Sequence, residues 1–169
     1  VASRGLGDVY KRQALIVARG KSVYCVLNLY PYNPGHMLVV PYRQVADYTE
    51  LSDAETAELA EFTKIALKAL RAVSKPDAVN VGLNLGKASG GSIPTHLHQH
   101  IVPRWAGDAN FMTVMTGTKV LPQTLRETRA LLAEAWESVT RSTDYRFKPL
   151  GRITSAMLSV HGRGPAAVI

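Results

Sequence analysis

The sequence is poor in several features that would define a function class. It has one cysteine, Cys25, in 169 residues. A single thiol excludes an internal disulfide framework and a cysteine-rich zinc site, and it suits a reducing compartment such as the cytoplasm. No apolar run approaches the ~20 residues needed to span a bilayer as a helix, so no membrane partner is expected. Internal repeats and low-complexity tracts are lacking. Charged residues make up 20% and hydrophobic residues 46%, a globular balance and not a disordered one. Between Asp77 and Asp108 there is no acidic residue, which bears on any metal reading of that stretch.

Positive charge is in excess, at a formal net +7, and by itself suggests a polyanionic partner. Its location argues otherwise. Residues 1–13 hold three basic residues against one acidic, and residues 141–169 hold five against one. The stretch 14–140 holds twelve against eleven. That central part carries no basic patch interleaved with aromatics, so no nucleic-acid partner is expected. Ser3–Gln13, SRGLGDVYKRQ, resembles an in-frame translation of a transposon-type sequencing adapter. Residues 1–13 are therefore read as a non-native scar in place of the native N-terminus, without the apolar core of a signal peptide. Residues 141–169 show no sustained period and are left as an unassigned basic tail, with His161 a surface histidine.

The stretch 14–140 reads as a single domain. Ala14–Arg19, Val23–Tyr30 and Met37–Tyr42 are β-branched and aliphatic runs parted by Gly20–Lys21 and by Pro31–Gly35, the pattern of a meander. Asn33-Pro34-Gly35 is a turn signal in which glycine can take a positive φ. Ser52 to about Val73 reads as a helix. Ser52 and Glu55 form a capping box, and Leu59, Phe62, Ile65, Ala66, Ala69, Leu70 and Val73 form one apolar stripe. The charged residues along it, Asp53, Glu55 and Glu58 early and Lys64, Lys68 and Arg71 late, complement the helix dipole and read as a solvated face. Val79–Leu85 and Leu97–Val102 read as further strands. A second helix is expected from Leu121 or Pro122 to Ser138, with Leu125, Leu131, Leu132 and Trp136 as its apolar side.

Three of the five histidines stand at 96, 98 and 100. If the strand runs through them, the period of two sets all three imidazoles on one face, about 6–7 Å apart. A lone histidine is usually structural; three in five residues ask for chemistry. One reading is a metal site, for which the missing carboxylates count against. The other is a nucleophilic imidazole attacking phosphorus, competent near neutral pH. The preceding loop Gly86–Ser92, GKASGGS, favours the second, because backbone N–H groups of such loops approach phosphate oxygens. Alone the loop is an ordinary hairpin connection. Four residues before His-x-His-x-His it is more specific.

His96-Leu97-His98-Gln99-His100-Ile101-Val102 resembles the histidine triad motif. Asn33-Pro34-Gly35-His36-Met37-Leu38-Val39-Val40-Pro41 resembles the upstream Pro-Gly-His segment of the same superfamily, and Leu27–Tyr30 and Val81–Gly86 resemble its nucleotide-site strands. The resemblance covers about residues 14–138. Arg104–Phe111 and Asn28–His36 look most like the bacterial diadenosine tetraphosphate phosphorylase branch. His100 speaks against the hexose-1-phosphate uridylyltransferase branch, which carries glutamine there. The resemblance implies an α+β fold, a meandering antiparallel sheet with two main helices, and a homodimer or higher homo-oligomer joined through sheet and helix.

It also implies roles. His98 resembles the nucleophile that forms a nucleotidyl-histidine, His96 the residue that orients it, His100 the phosphate contact and His36 the upstream support. Asn28 resembles the ribose contact, while Asn84, Gly90, Gly91 and Ser92 resemble contacts on the phosphate side. Asn28 and Asn84 can equally satisfy backbone groups at strand ends. Gln99, by alternation, points away. The expected enzyme is a nucleotidyltransferase using a nucleotide substrate and inorganic phosphate. No resident cofactor or metal is expected, beyond a divalent cation accompanying the nucleotide. A hydrolase, a nucleoside phosphoramidase and a non-catalytic nucleotide sensor remain open alternatives.

Overall fold

The computed structural model describes residues 15–90, 93–108 and 123–142. The expectations on residues 1–13, Gly91, Ser92, Leu121–Pro122, His161 and residues 143–169 lie outside the described residues.

Five strands form one antiparallel sheet: β1 (Ile16–Arg19), β2 (Val23–Leu27), β3 (Met37–Pro41), β4 (Ala78–Leu83) and β5 (Gln99–Arg104). Their spatial order is β1-β2-β3-β5-β4. The first three form the expected meander, with Val23 to Leu27 paired residue for residue against Pro41 to Met37. The last strand is inserted between β3 and β4, pairing Leu38 with His100 on one side and Gly82 with His100 on the other. β4 is an edge strand and is mostly exposed.

The helix α1 (Asp53–Ser74) starts at the predicted cap. Glu55 N–H donates to Ser52 Oγ at 3.3 Å, and Ser52 N–H donates to the Glu55 carboxylate at 2.8 Å. The stripe from Leu59 to Leu70 packs on Val23, Cys25 and Leu27 of β2, Met37 and Val39 of β3 and Ile101 of β5, in one continuous core. Alternation thus turns the odd-numbered residues of β2, β3 and β5 toward α1. The even-numbered ones, Leu38 and His100 among them, face the other side.

Several boundaries and faces differ from expectation. The second helix, α2 (Leu125–Ser142), runs four residues past Ser138. Thr124 and Glu127 make a second capping box, with Glu127 N–H to Thr124 Oγ1 at 3.3 Å and Thr124 N–H to the Glu127 carboxylate at 2.9 Å. Leu132 and Trp136 are buried against α1 and β1, but Leu131 is 40% exposed, because the helical period turns it outward. Nor is the acidic start of α1 simply solvated. Glu55 is buried under Arg43, which donates two hydrogen bonds to it. Glu58 accepts the backbone N–H groups of Lys21 and Ser22 at 2.7 and 2.6 Å, tying the β1–β2 turn to the helix. Among the described residues no helix is long and apolar enough to cross a membrane.

Candidate active site

The candidate side chains collect where β2 ends, β3 begins and β5 begins. The strand β5 starts only at Gln99, so the three triad histidines do not share one strand face as expected. Only His100 lies within the strand; His96 is in the bend that leads to it, and His98 immediately precedes it. Each imidazole therefore has its own partner. The ring of His96 donates from Nε2 to the carbonyl of Pro41 at 2.9 Å. His98 approaches the carbonyl of His96 through Nδ1 at 2.8 Å. His96 thus orients His98 through its backbone and not its ring. Gln99 points away, as alternation requires, and donates to Thr63 Oγ1 on α1 at 2.6 Å.

These contacts assign protons. A carbonyl only accepts, so His98 Nδ1 must carry a hydrogen. In the neutral ring the lone pair is then on Nε2, the nitrogen with no such tether. A second chain of bonds begins at the turn before β3. Tyr32 N–H donates to His36 Nδ1 at 3.1 Å, leaving Nε2 as the protonated nitrogen of His36. That nitrogen faces His100 Nδ1 at 2.9 Å, so it donates there, and the hydrogen of His100 resides on Nε2. His36 is fully buried. Burial, reinforced by the charge that His100 and His98 would carry, pushes its pKa down to about 3, so it stays neutral and keeps this direction. Burial and His98 also lower His100. The result is a neutral relay that presents an N–H from His100 Nε2; Asn84 Nδ2 lies 3.4 Å from that atom and, being a donor itself, does not accept that hydrogen.

Asn28 stands on the far side of His36, its amide 3.4 Å from Nδ1. Its Oδ1 also accepts from Tyr30 N–H at 3.2 Å, so it does the strand-end work that was its alternative reading. Gly90 has φ +83°, a conformation favouring glycine, and lines an open cleft beside His100. The preceding loop closes on itself, Ser89 Oγ donating to the Gly86 carbonyl at 2.7 Å. Among the described residues no three His, Cys, Asp or Glu side chains converge as a metal-ion site.

Two features were not visible in the sequence. Tyr32 lies over the relay, its ring 5.0 Å from His36 and 6.2 Å from His100, near parallel to both. A polar clamp holds the turn that carries His36. Asn33 Nδ2 donates to the Pro103 carbonyl at 2.8 Å and to Asp108 at 2.7 Å, and the Arg104 guanidinium grips the same carboxylate from two nitrogens. That fork, with Asn33 and the Trp105 N–H, holds the Asp108 carboxyl well below the usual carboxylate range. The Arg104–Asp108 spacing hints at an ion pair, but nothing local predicts that Asn33 joins it.

Comparison with known proteins agrees with this geometry. Over 124 residues the chain is 60% identical to a protein of Mycobacterium tuberculosis named AP-4-A phosphorylase, covering 73% of this chain and 64% of that protein. The chain thus spans less than two-thirds of that relative. Over 88 residues it is 34% identical to a Saccharomyces cerevisiae protein named bis(5'-adenosyl)-triphosphatase, covering 52% of this chain and 42% of the yeast protein. The fold is similar to that of a hypothetical histidine triad nucleotide-binding protein of Sulfolobus tokodaii, with a TM-score of 0.65 and 27% identity over 78% of this chain and 89% of that one. Residues 11–107 match the HIT domain family, and the chain belongs to that family.

Proposed function

We propose that the protein transfers a nucleotidyl group through His98, with the α-phosphorus of a dinucleoside polyphosphate as the point of attack. The observation that carries this reading is the His98 Nδ1 bond to the His96 carbonyl, which sets the direction of the ring and leaves the Nε2 lone pair without a hydrogen-bond donor among the described residues. In the first step the Nε2 lone pair forms a bond to phosphorus. The bond from phosphorus to the bridging oxygen breaks, and its electron pair leaves with the departing nucleoside polyphosphate. The N–H of His100, directed by His36, donates to a phosphate oxygen as charge develops there. In the second step an oxygen of inorganic phosphate attacks, the phosphorus–nitrogen bond breaks, and Nε2 recovers its pair. From diadenosine tetraphosphate the products are ATP and ADP. Splitting one displacement into two is the gain from covalent catalysis.

In this reading His36 and His96 are supports, Asn28 holds the ribose, and Asn84 with Gly90, Gly91 and Ser92 serves the phosphates. A divalent cation arrives with the substrate, and the reaction takes place in the cytoplasm. The exposed edge of β4 supports a homodimer in which the sheet continues into a second copy. The 60% identity to the mycobacterial phosphorylase supports phosphate as acceptor. The weaker identity to the yeast triphosphatase favours a second reading, with water as acceptor. Diadenosine tetraphosphate incubated with and without inorganic phosphate separates the two. ADP formed only with phosphate is the expected result; AMP released without it establishes hydrolysis. His98→Ala is expected to abolish either reaction, and an active His98→Ala protein refutes the mechanism.

A further inference from the structure

The cleft beside His100 extends well beyond the histidines. It has a volume of about 530 Å³, within the ~300–1,000 Å³ typical of small-molecule sites. Its floor follows the outward face of β5 from His100 through Val102 to Arg104, about 13 Å at the rise of a strand. One wall is the Tyr32–Asn33 turn, and the other is β4 with Asn80, Gly82 and Asn84. Asn28 is outside this lining, on the other side of His36.

Three properties define what the cleft would accept. Among the described residues its only charged lining groups are Arg104 and Asp108, which neutralise each other through their paired contacts. It therefore suits an uncharged body better than further phosphates. Tyr32 is 60% exposed and is held near parallel to His36 and His100, so it offers an aromatic face at the mouth. Asn80, whose Oδ1 accepts from Arg104 Nη1 at 3.1 Å, presents its Nδ2 as a donor. The floor is also open at Gly82, where an added Cβ would meet nothing within 4 Å. The Asn33–Asp108–Arg104 clamp fixes the wall, so the shape exists before any ligand enters.

We propose that this cleft is the subsite for the second nucleoside of a dinucleoside polyphosphate, with its base on Tyr32 and its polar edge on Asn80, beyond the phosphate-side Asn84. The proposal rests on the nucleotidyl-transfer reading above. One nucleoside occupies the Asn28 side, the reacting phosphorus is at the histidines, and the other nucleoside extends toward Arg104.

The test compares two substrates on the full chain. Diadenosine tetraphosphate needs both subsites. Adenosine 5'-phosphoramidate needs only one, because its leaving group is ammonia. Asn80→Phe and, independently, Asn80→Trp fill the cleft at the position paired with Val102, two residues along β5 from His100. Each is expected to lower kcat/KM for diadenosine tetraphosphate by about tenfold or more, mainly through KM, and to change phosphoramidate turnover by less than about twofold. Retained phosphoramidate turnover also shows that the variant has folded. A parallel fall on both substrates, or no change on either, overturns the subsite. So does a wild-type protein that turns over the phosphoramidate but not diadenosine tetraphosphate. A wild-type protein inactive on both refutes the nucleotidyl-transfer reading itself, and the subsite with it.

Discussion

Burying neutral His36 under the relay makes stability depend on pH in a window above that of the depressed carboxylates. The ordinary value of 6.5 falls to about 3 in the folded protein. The unfolded chain therefore takes up a proton first as the pH falls, and the folded state is penalised progressively between those two values. Going from about pH 7.5 to about pH 5, this one group removes roughly 2 kcal/mol of folding stability. His100 is lowered too and acts in the same direction. The depressed carboxylates behave differently. Glu55, lowered from 4.5 to about 2, contributes stability that is present above 4.5 and is lost as the pH falls toward 2. Asp108 follows the same rule from 3.8 downward. Neither contributes to the slope between pH 7.5 and 5. Urea denaturation at those two pH values should show a midpoint lowered by about 1 M, taking a slope near 2 kcal/mol per M. His36→Gln keeps a donor and an acceptor but does not titrate, so its midpoint should move less over the same interval. A wild-type midpoint that stays constant, or a His36→Gln protein as pH-sensitive as the wild type, would refute the buried neutral relay.

Two further predictions concern the scaffold. Leu132→Ala should destabilise the protein by about 2–5 kcal/mol through a cavity between α2 and α1, while Leu131→Ala should stay within about 0.5 kcal/mol; thermal unfolding of the pair reads the difference. Gly35→Ala should cost about 1–2 kcal/mol, because φ is +85° there and the new Cβ would come within 3.1 Å of Leu70, and a melting temperature equal to wild type would contradict it.

How far the sequence could be read depended on the range of the interaction. Local chemistry was legible. The Ser52–Glu55 box, the α1 stripe, the Asn33-Pro34-Gly35 turn and the meander all follow from neighbours a few residues apart. The strand start at Gln99 was not, because His96 and His98 alternate as a strand would while their backbone lies just before the paired residues. Leu131 was assigned inward because four hydrophobic residues looked like one stripe, and only packing on α1 separates it from Leu132. The contacts that orient the site were also hidden. His36 meets His100 across 64 residues, and Asn33 meets Asp108 across 75. Both depend on strand order, which no local pattern encodes.

That strand order has a consequence for synthesis. The last of the described strands to be made, β5, is central in the sheet. While the chain emerges, β1–β3 can pair and α1 can cover them, but the outer edge of β3 has no neighbour and β4 has nothing to pair with. Arrival of residues 99–104 closes both edges at once. The same event brings His100 to His36 and Pro103 to Asn33. Nascent chains halted before β5 would carry two open strand edges, the species most exposed to aggregation and to chaperone capture. Completion of the sheet and assembly of the relay are therefore one step in time.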